Sequence, residues 1–334
     1  MRVRTISAVV AGVALLAGAL AGASVAAAAT SVTFTPRTVA GTVGGQNVVP
    51  LGTISLSMTS TQTAYVVSVM RVNSATIRTL FDNEIVCNGP NGWSKNMVMG
   101  QNVYQTGSGS PQWEDVTLTT RYLVHPGVSG TVTCTANLRT ASLGVSQSTV
   151  RLVSGSLRFA DQSVGNAVTG QPLQQSVPAG LYKVDAATPT VRLPALNYVN
   201  TRTGLTGLSV FGDTEFMVCP SAKSCVKTGS SKARFTLYVN QWKSDGTLCH
   251  TDRSATVTKT VPYWVHHAYV PLHKPDFQVY AGNGCIPRFN AYVKVDWLGG
   301  QAGAVQGTAR NLTDSRGSTS THDSDMSHVY AVPY

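Results

Sequence analysis

The chain has 334 residues, of which 25 are Lys or Arg and 15 are Asp or Glu, a formal net charge of +10 on only 12% charged residues. An average soluble protein carries about twice that share; here 31 Gly and many Ser, Thr and Asn stand in its place, beside 43% hydrophobic residues and a mean hydropathy of +0.03. Charge-driven disorder is excluded because such chains are poor in β-branched and apolar residues, and long coiled coils because their heptads need dense Leu, Glu and Lys.

The first element in chain order is an export signal. Arg2 and Arg4 lead an apolar run from Ala8 to Ala21, and Ala26 to Ala29 supply small residues for cleavage. Residues 1–29 are expected to be removed and the remainder secreted, with an extracellular location. The run is short for a membrane span of about 20 residues, and no later segment is long and apolar enough to be one. Val3 separates the two arginines, which does not fit the twin-arginine route. Without Arg2 and Arg4 the charge is +8. Eight basic residues against four acidic ones fall in 30–160, and 15 against 11 in 161–334, so each half carries +4. That even bias suits attraction to anionic surfaces such as wall polymers. It argues against nucleic acid, whose binders concentrate their charge; the one acid-free basic cluster is Lys223, Lys227, Lys232 and Arg234.

Period-two alternation governs the chain beyond the signal. Val116, Leu118, Thr120 and Tyr122 share one face of Asp115 to Val124, and Val132, Cys134, Ala136 and Leu138 share one face of Gly130 to Thr140, the pattern of half-buried antiparallel strands. Thr63 to Val72, Arg234 to Trp242, Val261 to Val270 and Phe289 to Trp297 read the same way. Turn signals separate them at Gly107 to Pro111, Asp245-Gly246 and Gly282-Asn283-Gly284, and Asn73 to Phe81 is short enough for one helix or turn. Val164 to Pro189, rich in Gly, Gln, Pro and Ala, reads as a connection, and Thr313 to Ser327 as a mobile segment before a last strand. Many short alternating strands pack as sandwiches. The expectation is an all-β chain of two β-sandwich domains, 31–160 and 161–334.

Six cysteines after the signal argue for disulfides. Cys87 and Cys134 are the two in the first half and pair by elimination. Cys219, Cys225, Cys249 and Cys285 allow three pairings: neighbours in sequence give Cys219 with Cys225 and Cys249 with Cys285. An echo between Phe81 to Cys87 and Gly212 to Cys219, and between Gly130 to Cys134 and Gly246 to Cys249, would pair Cys219 with Cys249 if it marks a duplication. Five residues between Cys219 and Cys225 fit a zinc site poorly.

Cys87, Trp93 and Cys134 in an alternating strand resemble the core of an immunoglobulin-like sandwich. Trp93 lies closer to the first cysteine than in that fold, and Val132 stands where it prefers Tyr. The first domain is thus loosely immunoglobulin-like and disulfide-stapled. Residues 235–311 resemble secreted β-rich proteins of actinobacteria. The resemblance rests on Tyr238 to Trp242, Asp245 to Cys249, Val265-His266-His267, Gly284-Cys285 with Arg288-Phe289, and Val293 to Trp297. It implies an exported actinobacterial protein and brings no activity or functional residue.

Chemistry-bearing motifs are few. There is no Gly-x-Ser-x-Gly elbow and no phosphate-cradling glycine loop. Asp82 with Glu84, and Asp213 with Glu215, are each two apart and so share a strand face at ~6 to 7 Å, within the range of a glycosidase carboxylate pair or of cation ligands. On an extended Val261 to Val270, His266 and His267 point to opposite faces. His267 with His273 and Asp276, or His322, Asp323, Asp325 and His328, are the remaining metal-ligand types; neither set makes a coherent site, and no metal or cofactor is expected. Trp242, Trp264 and Trp297 end or interrupt strands, where rings can stack on sugars or proteins. The leading expectation is a non-catalytic binding protein for a cell-wall or extracellular glycan or another exported protein, through Trp242, Trp264, Trp297, Lys223, Lys227 and Lys232. The alternatives are a glycan-active hydrolase using Glu84, Glu215 or both, with Asp82 and Asp213 behind them, and an inhibitor or assembly component acting through a loop or sheet edge.

Overall fold

The computed structural model describes residues 30–76, 78–104, 112–160, 165–166, 174–199, 204–220, 225–307 and 327–334. Residues 1–29, Lys223, the turn at 107–111 and all but the last residue of 313–327 lie outside them. Ten strands build the first half: β1 (Ser31–Thr33), β2 (Arg37–Val43), β3 (Asn47–Met58), β4 (Gln62–Ser74), β5 (Thr79–Asn88), β6 (Ser94–Tyr104), β7 (Val116–Val124), β8 (Gly130–Ser142), β9 (Ser148–Phe159) and β10 (Gly165–Asn166). Eleven more build the second: β11 (Gln174–Ser176), β12 (Leu181–Val184), β13 (Thr190–Val199), β14 (Gly207–Val218), β15 (Ser230–Lys243), β16 (Leu248–Arg253), β17 (Val257–Pro262), β18 (His267–Gln278), β19 (Cys285–Gly300), β20 (Gly303–Gln306) and β21 (His328–Pro333). Among the described residues the one helical element is the single turn Pro90–Gly92, so the chain is all-β. No described helix is long and apolar enough to cross a membrane.

The first half is a single 10-stranded sheet folded over on β2, which pairs antiparallel with β9 and then parallel with β8. One leaf carries β1, β4, β7, β9 and β10, the other β3, β5, β6 and β8. Phe34, Ile54, Met70, Phe81, Leu118, Tyr122, Leu138 and Leu157 meet in the core between the leaves. Asn83 is the polar link across it: its amide donates to the carbonyls of Ser68 (2.9 Å) and Leu118 (3.2 Å), and Thr120 Oγ1 donates to the Asn83 carbonyl (2.6 Å).

Two sheets build the second half, one of β11, β12, β14, β18, β20 and β21 and one of β13, β15, β16, β17 and β19. They pack face to face through Phe216 and Phe235, whose rings meet edge-on at 5.3 Å. Gly212 marks a close approach: a Cβ there would lie 2.6 Å from Val293 and 3.1 Å from Leu237 of the opposite sheet. Three disulfides staple the fold, Cys87–Cys134, Cys219–Cys225 and Cys249–Cys285. Cys87 and Cys134 are register partners on adjacent strands of one leaf, where the immunoglobulin pattern joins two sheets. The echo between the halves does not extend to their pairing, because β14 lies between β18 and β21 and Cys219 bonds locally.

Two sequence expectations meet a different backbone. Val261 to Val270 is two strands, because the chain turns at Tyr263 to His266, with His266 in the left-handed region (φ +67°) and the Val265 and His266 amides bonded to the Pro262 carbonyl. The alternation simply runs on across that turn. Among the described residues Asn73 to Phe81 holds the turn between β4 and β5, one of the two forms its length allowed, with Arg78 at φ +56°. Val164 to Pro189 contributes β10, β11 and β12 rather than a bare connection.

The two halves stack as four layers. The β4–β7 face turned away from the first core presents Tyr65, Val67, Arg121 and Leu123, and it packs on the outer face of the β14–β18–β21 sheet. This explains β14, in which every residue but Ser209 is buried: its even residues face the second core and its odd residues face the first half. Arg121 crosses this interface. Its Nε donates to both Asp213 oxygens (2.9 and 2.8 Å), and Nη2 bonds Asp213 and the Leu272 carbonyl (3.3 Å). His328 Nε2 and the Tyr330 hydroxyl complete the carboxylate at 3.1 and 3.4 Å. The guanidinium lies 5.2 Å over the Phe211 ring, which stacks on His273 (3.8 Å) and Tyr330 (5.2 Å) and touches Tyr65 (4.3 Å).

Burial alone would raise the Asp213 carboxyl; Arg121 and the His328 hydrogen bond more than offset that and hold it at about 2. A carboxyl whose folded pKa is depressed stabilises the fold above its unfolded value near 4, and that stabilisation is lost as pH falls towards 2. Asp213→Asn strands a buried guanidinium and is expected to cost about 3 to 5 kcal/mol, on the order of breaking any buried pair. Arg121→Met with Asp213→Leu removes both charges and is expected to recover most of that loss, as read from urea midpoints. A single variant as stable as the parent would contradict the assignment.

Candidate functional site

The two pairs of acids are buried, not solvated. Asp82 and Glu84 lie on the β5 face opposite the core residues Phe81 and Ile85. Glu84 receives Asn96 (3.2 Å), Asn137 (2.8 Å) and Arg139 (3.1 Å), and Arg139 reaches on to Gln46. Asp82 is pushed up to about 7 by burial, with Arg139 opposing and Glu84 adding to the rise. Asp213 is consumed by Arg121, and Glu215, fully buried two residues on, has His267 Nδ1 at 3.6 Å. The two pairs therefore sit in different layers and do not converge.

The histidines also separate. His273 stacks on Phe211 and holds Ser209 Oγ at 2.9 Å, while Asp276 pairs with Lys274 at 2.8 Å. His328 belongs to the Asp213 network, and 322, 323 and 325 lie outside the described residues. Among the described residues no three His, Cys, Asp or Glu are placed to hold a metal ion. Trp242 and Trp297 are half-buried on one sheet, but the register sets Trp297 opposite Ala233, nine residues from Trp242, or about 30 Å. Trp297 Nε1 donates to the Gln301 carbonyl (3.1 Å). Lys227 and Lys232 are exposed, and no aromatic platform joins them to the three tryptophans.

Trp264 is the exception. The turn that interrupts Val261 to Val270 carries it to the wall of an open groove of about 430 Å³. One side of the groove is the start of β7, with Glu114 exposed at the rim and Thr117 and Thr119 behind it; the other is Trp264 and His267, with Lys259 beside them. Thr117, Thr119 and Arg121 alternate onto one face of β7, so the groove is the open end of the interface that Arg121 and Asp213 close. Asp115, also at the wall, is taken up by Arg71 and by Asn73. Glu215 backs His267 from inside the sheet.

Trp113 precedes the rim carboxylate, 42% exposed and at φ +60°, a backbone state that bulky residues rarely adopt. Pattern reading passes it over; its one signal in the sequence is a large aromatic beside an acid, just after the Gly/Ser/Pro turn at 107–111.

No family model matches this sequence, and neither does any curated protein. Among solved structures, the tandem CBM22-1–CBM22-2 domains of Paenibacillus barcinonensis Xyn10C are 11% identical over 84% of this chain and 83% of theirs, with a TM-score of 0.23. Infectious bursal disease virus structures of the Gt and Gx strains are 11% and 12% identical over 91% and 92% of this chain and 73% of theirs, with TM-scores of 0.27 and 0.24. Superpositions this loose share strand content and do not establish a common arrangement.

Asp82 yields a pH test. A carboxyl with a raised folded pKa stabilises the fold below its unfolded value near 4, and the contribution is lost as pH rises through about 7. Asp82→Asn mimics the protonated form. It is expected to match the parent at low pH and to exceed it at pH 8 by roughly 4 kcal/mol, the free energy of moving a carboxyl from near 4 to about 7. Urea midpoints of the two proteins that keep the same gap at both pH values would refute this.

Proposed function

We propose that the chain is an exported, non-catalytic glycan-binding protein of actinobacterial type, and that the groove at the junction of its halves takes the sugar. The observation that carries this is Trp264 on the wall of an open groove whose opposite side is hydroxyl and carboxylate. A pyranose presents an apolar face and a rim of hydroxyls. An indole ring takes the first, and a few fixed polar groups such as Glu114, Thr117 and His267 take the second and set orientation. The N-terminal export signal, the three disulfides and the net positive charge agree with a protein that works outside the cell against an anionic wall.

The wall glycan itself is the test. The chain purified from culture fluid is expected to sediment with purified actinobacterial cell wall at low salt, and Trp264→Ala to weaken that binding at least about tenfold, since it removes the stacking surface while leaving the strands intact. Failure of the parent to sediment, or unchanged binding by the variant, would overturn the reading.

A further inference from the structure

A second surface lies at the far end of the four-layer stack. In the β13–β15–β16–β19 sheet the odd residues of β15 and β19 fill the core, which leaves the even residues on the outer face. Cross-strand register assembles that face into rows. Tyr292 and Tyr238 lie side by side with Arg253 next in line; Asn197, Asn290, Asn240 and Thr251 form the row below. Val199 and Arg288 pair beyond it, where Trp242 of β15 stands at a shift in the register with β19.

The chemistry of these rows is specific. The Tyr238 and Tyr292 rings stack at 5.4 Å and 15°, and the Arg192 guanidinium lies 5.5 Å over Tyr292. An Arg–Tyr–Tyr–Arg line thus crosses the sheet with a guanidinium at each end. The asparagines below are paired by hydrogen bonds, Asn290 to Asn197 at 2.9 Å and Thr251 to Asn240 at 2.8 Å. Among the described residues Lys232, Arg234, Arg192, Lys294, Arg253 and Arg288 share the face with one acid, Asp296, which engages Arg234 (3.0 Å) and Lys294 (3.0 Å). Among the described residues no acid lies in ion-pair range of Arg192, Arg253 or Arg288, and all three are exposed.

We propose that this face binds a polysaccharide bearing uronic-acid carboxylates, separately from the groove at Trp264. Charge complementarity selects an anionic occupant. The planar guanidinium fork matches a carboxylate through two parallel hydrogen bonds. The amide row and tyrosine hydroxyls match sugar hydroxyls, and Trp242 offers a ring face to a pyranose; a polyol phosphate has no ring for Trp242 to stack on. The surface spans several rows at ~6.7 Å along the strands and four strands at ~4.8 Å across them, which suits an extended chain rather than a single sugar.

The test compares the intact chain's affinity for sodium polygalacturonate, for uncharged dextran and for single-stranded DNA at about 50 and about 300 mM NaCl. Polygalacturonate is expected to bind at least about tenfold tighter than either control at the lower salt and to weaken steeply at the higher, because its contacts are ionic. Arg192→Ala with Arg253→Ala is expected to lose at least about tenfold and to flatten the salt dependence, and Arg192→Lys with Arg253→Lys to lose part of that, having charge without the fork. Trp264→Ala is expected to keep both the preference for polygalacturonate over dextran and the salt dependence of its binding, which separates this face from the groove. Binding of polygalacturonate no tighter than dextran, equal affinity in the double alanine variant, or tighter binding of DNA through the same arginines would overturn the proposal.

Discussion

The arrangement of the whole molecule depends on one buried ion pair. Arg121 and Asp213 are 92 residues apart and belong to different halves, yet both are withdrawn from water between two sheets. Desolvating two charges costs several kcal/mol each and is recovered only when every donor and acceptor is met. Here the carboxylate is met by Arg121, His328 and Tyr330, and the guanidinium also by the Leu272 carbonyl and the Phe211 ring. A pair ligated from both halves in this way fixes how β7 lies against β14 and β18. The groove lined by Thr117, Thr119, Trp264 and His267 is the open margin of that same interface, and its width is set by the pair at its closed end.

Four-layer stacking also decides which surfaces remain for binding. The β14–β18–β21 sheet is covered on both sides and has no face to offer. The open end of the interface and the outermost sheets do. Acids are drawn inward: Asp82, Glu84, Asp213 and Glu215 are all buried, while among the arginines and lysines of the described residues Arg139 is buried and Arg121 half-buried. The sequence-level scarcity of acid thus becomes a sharper scarcity at the surface, and the outer face with Arg192, Arg253 and Arg288 is its most concentrated expression.

Strands that bury one face are legible in the sequence. Val116, Leu118, Thr120 and Tyr122 alternate with exposed or half-buried neighbours because only one side of β7 enters the first core, and Asp245-Gly246 turns β15 into β16 with Gly246 at φ +82°. β14 is read as extended only from its echo of Phe81 to Cys87, and its burial on both faces is not legible, because such burial removes the alternation that pattern reading needs. Nor is the role of its acids: a carboxylate two residues from another looks like a catalytic pair until its partner, fixed by a contact across 92 residues, is known. Trp264 reads in the sequence as a ring on a strand; it owes its position to a turn that the alternation of Val261 to Val270 conceals, with His266 in a backbone conformation that nothing local announces.

The central claim is that Arg121 and Asp213 bind the two sandwiches into one cooperative unit with the groove as its fixed margin. Native-state hydrogen exchange under increasing urea tests this most directly. If the claim holds, the amides of β14 and β21 exchange only with the β4 and β7 amides, at a single common opening free energy equal to global unfolding. Exchange of β14 and β21 in a separate, lower-energy opening while β4 and β7 stay protected would show that the halves part independently, and would contradict it.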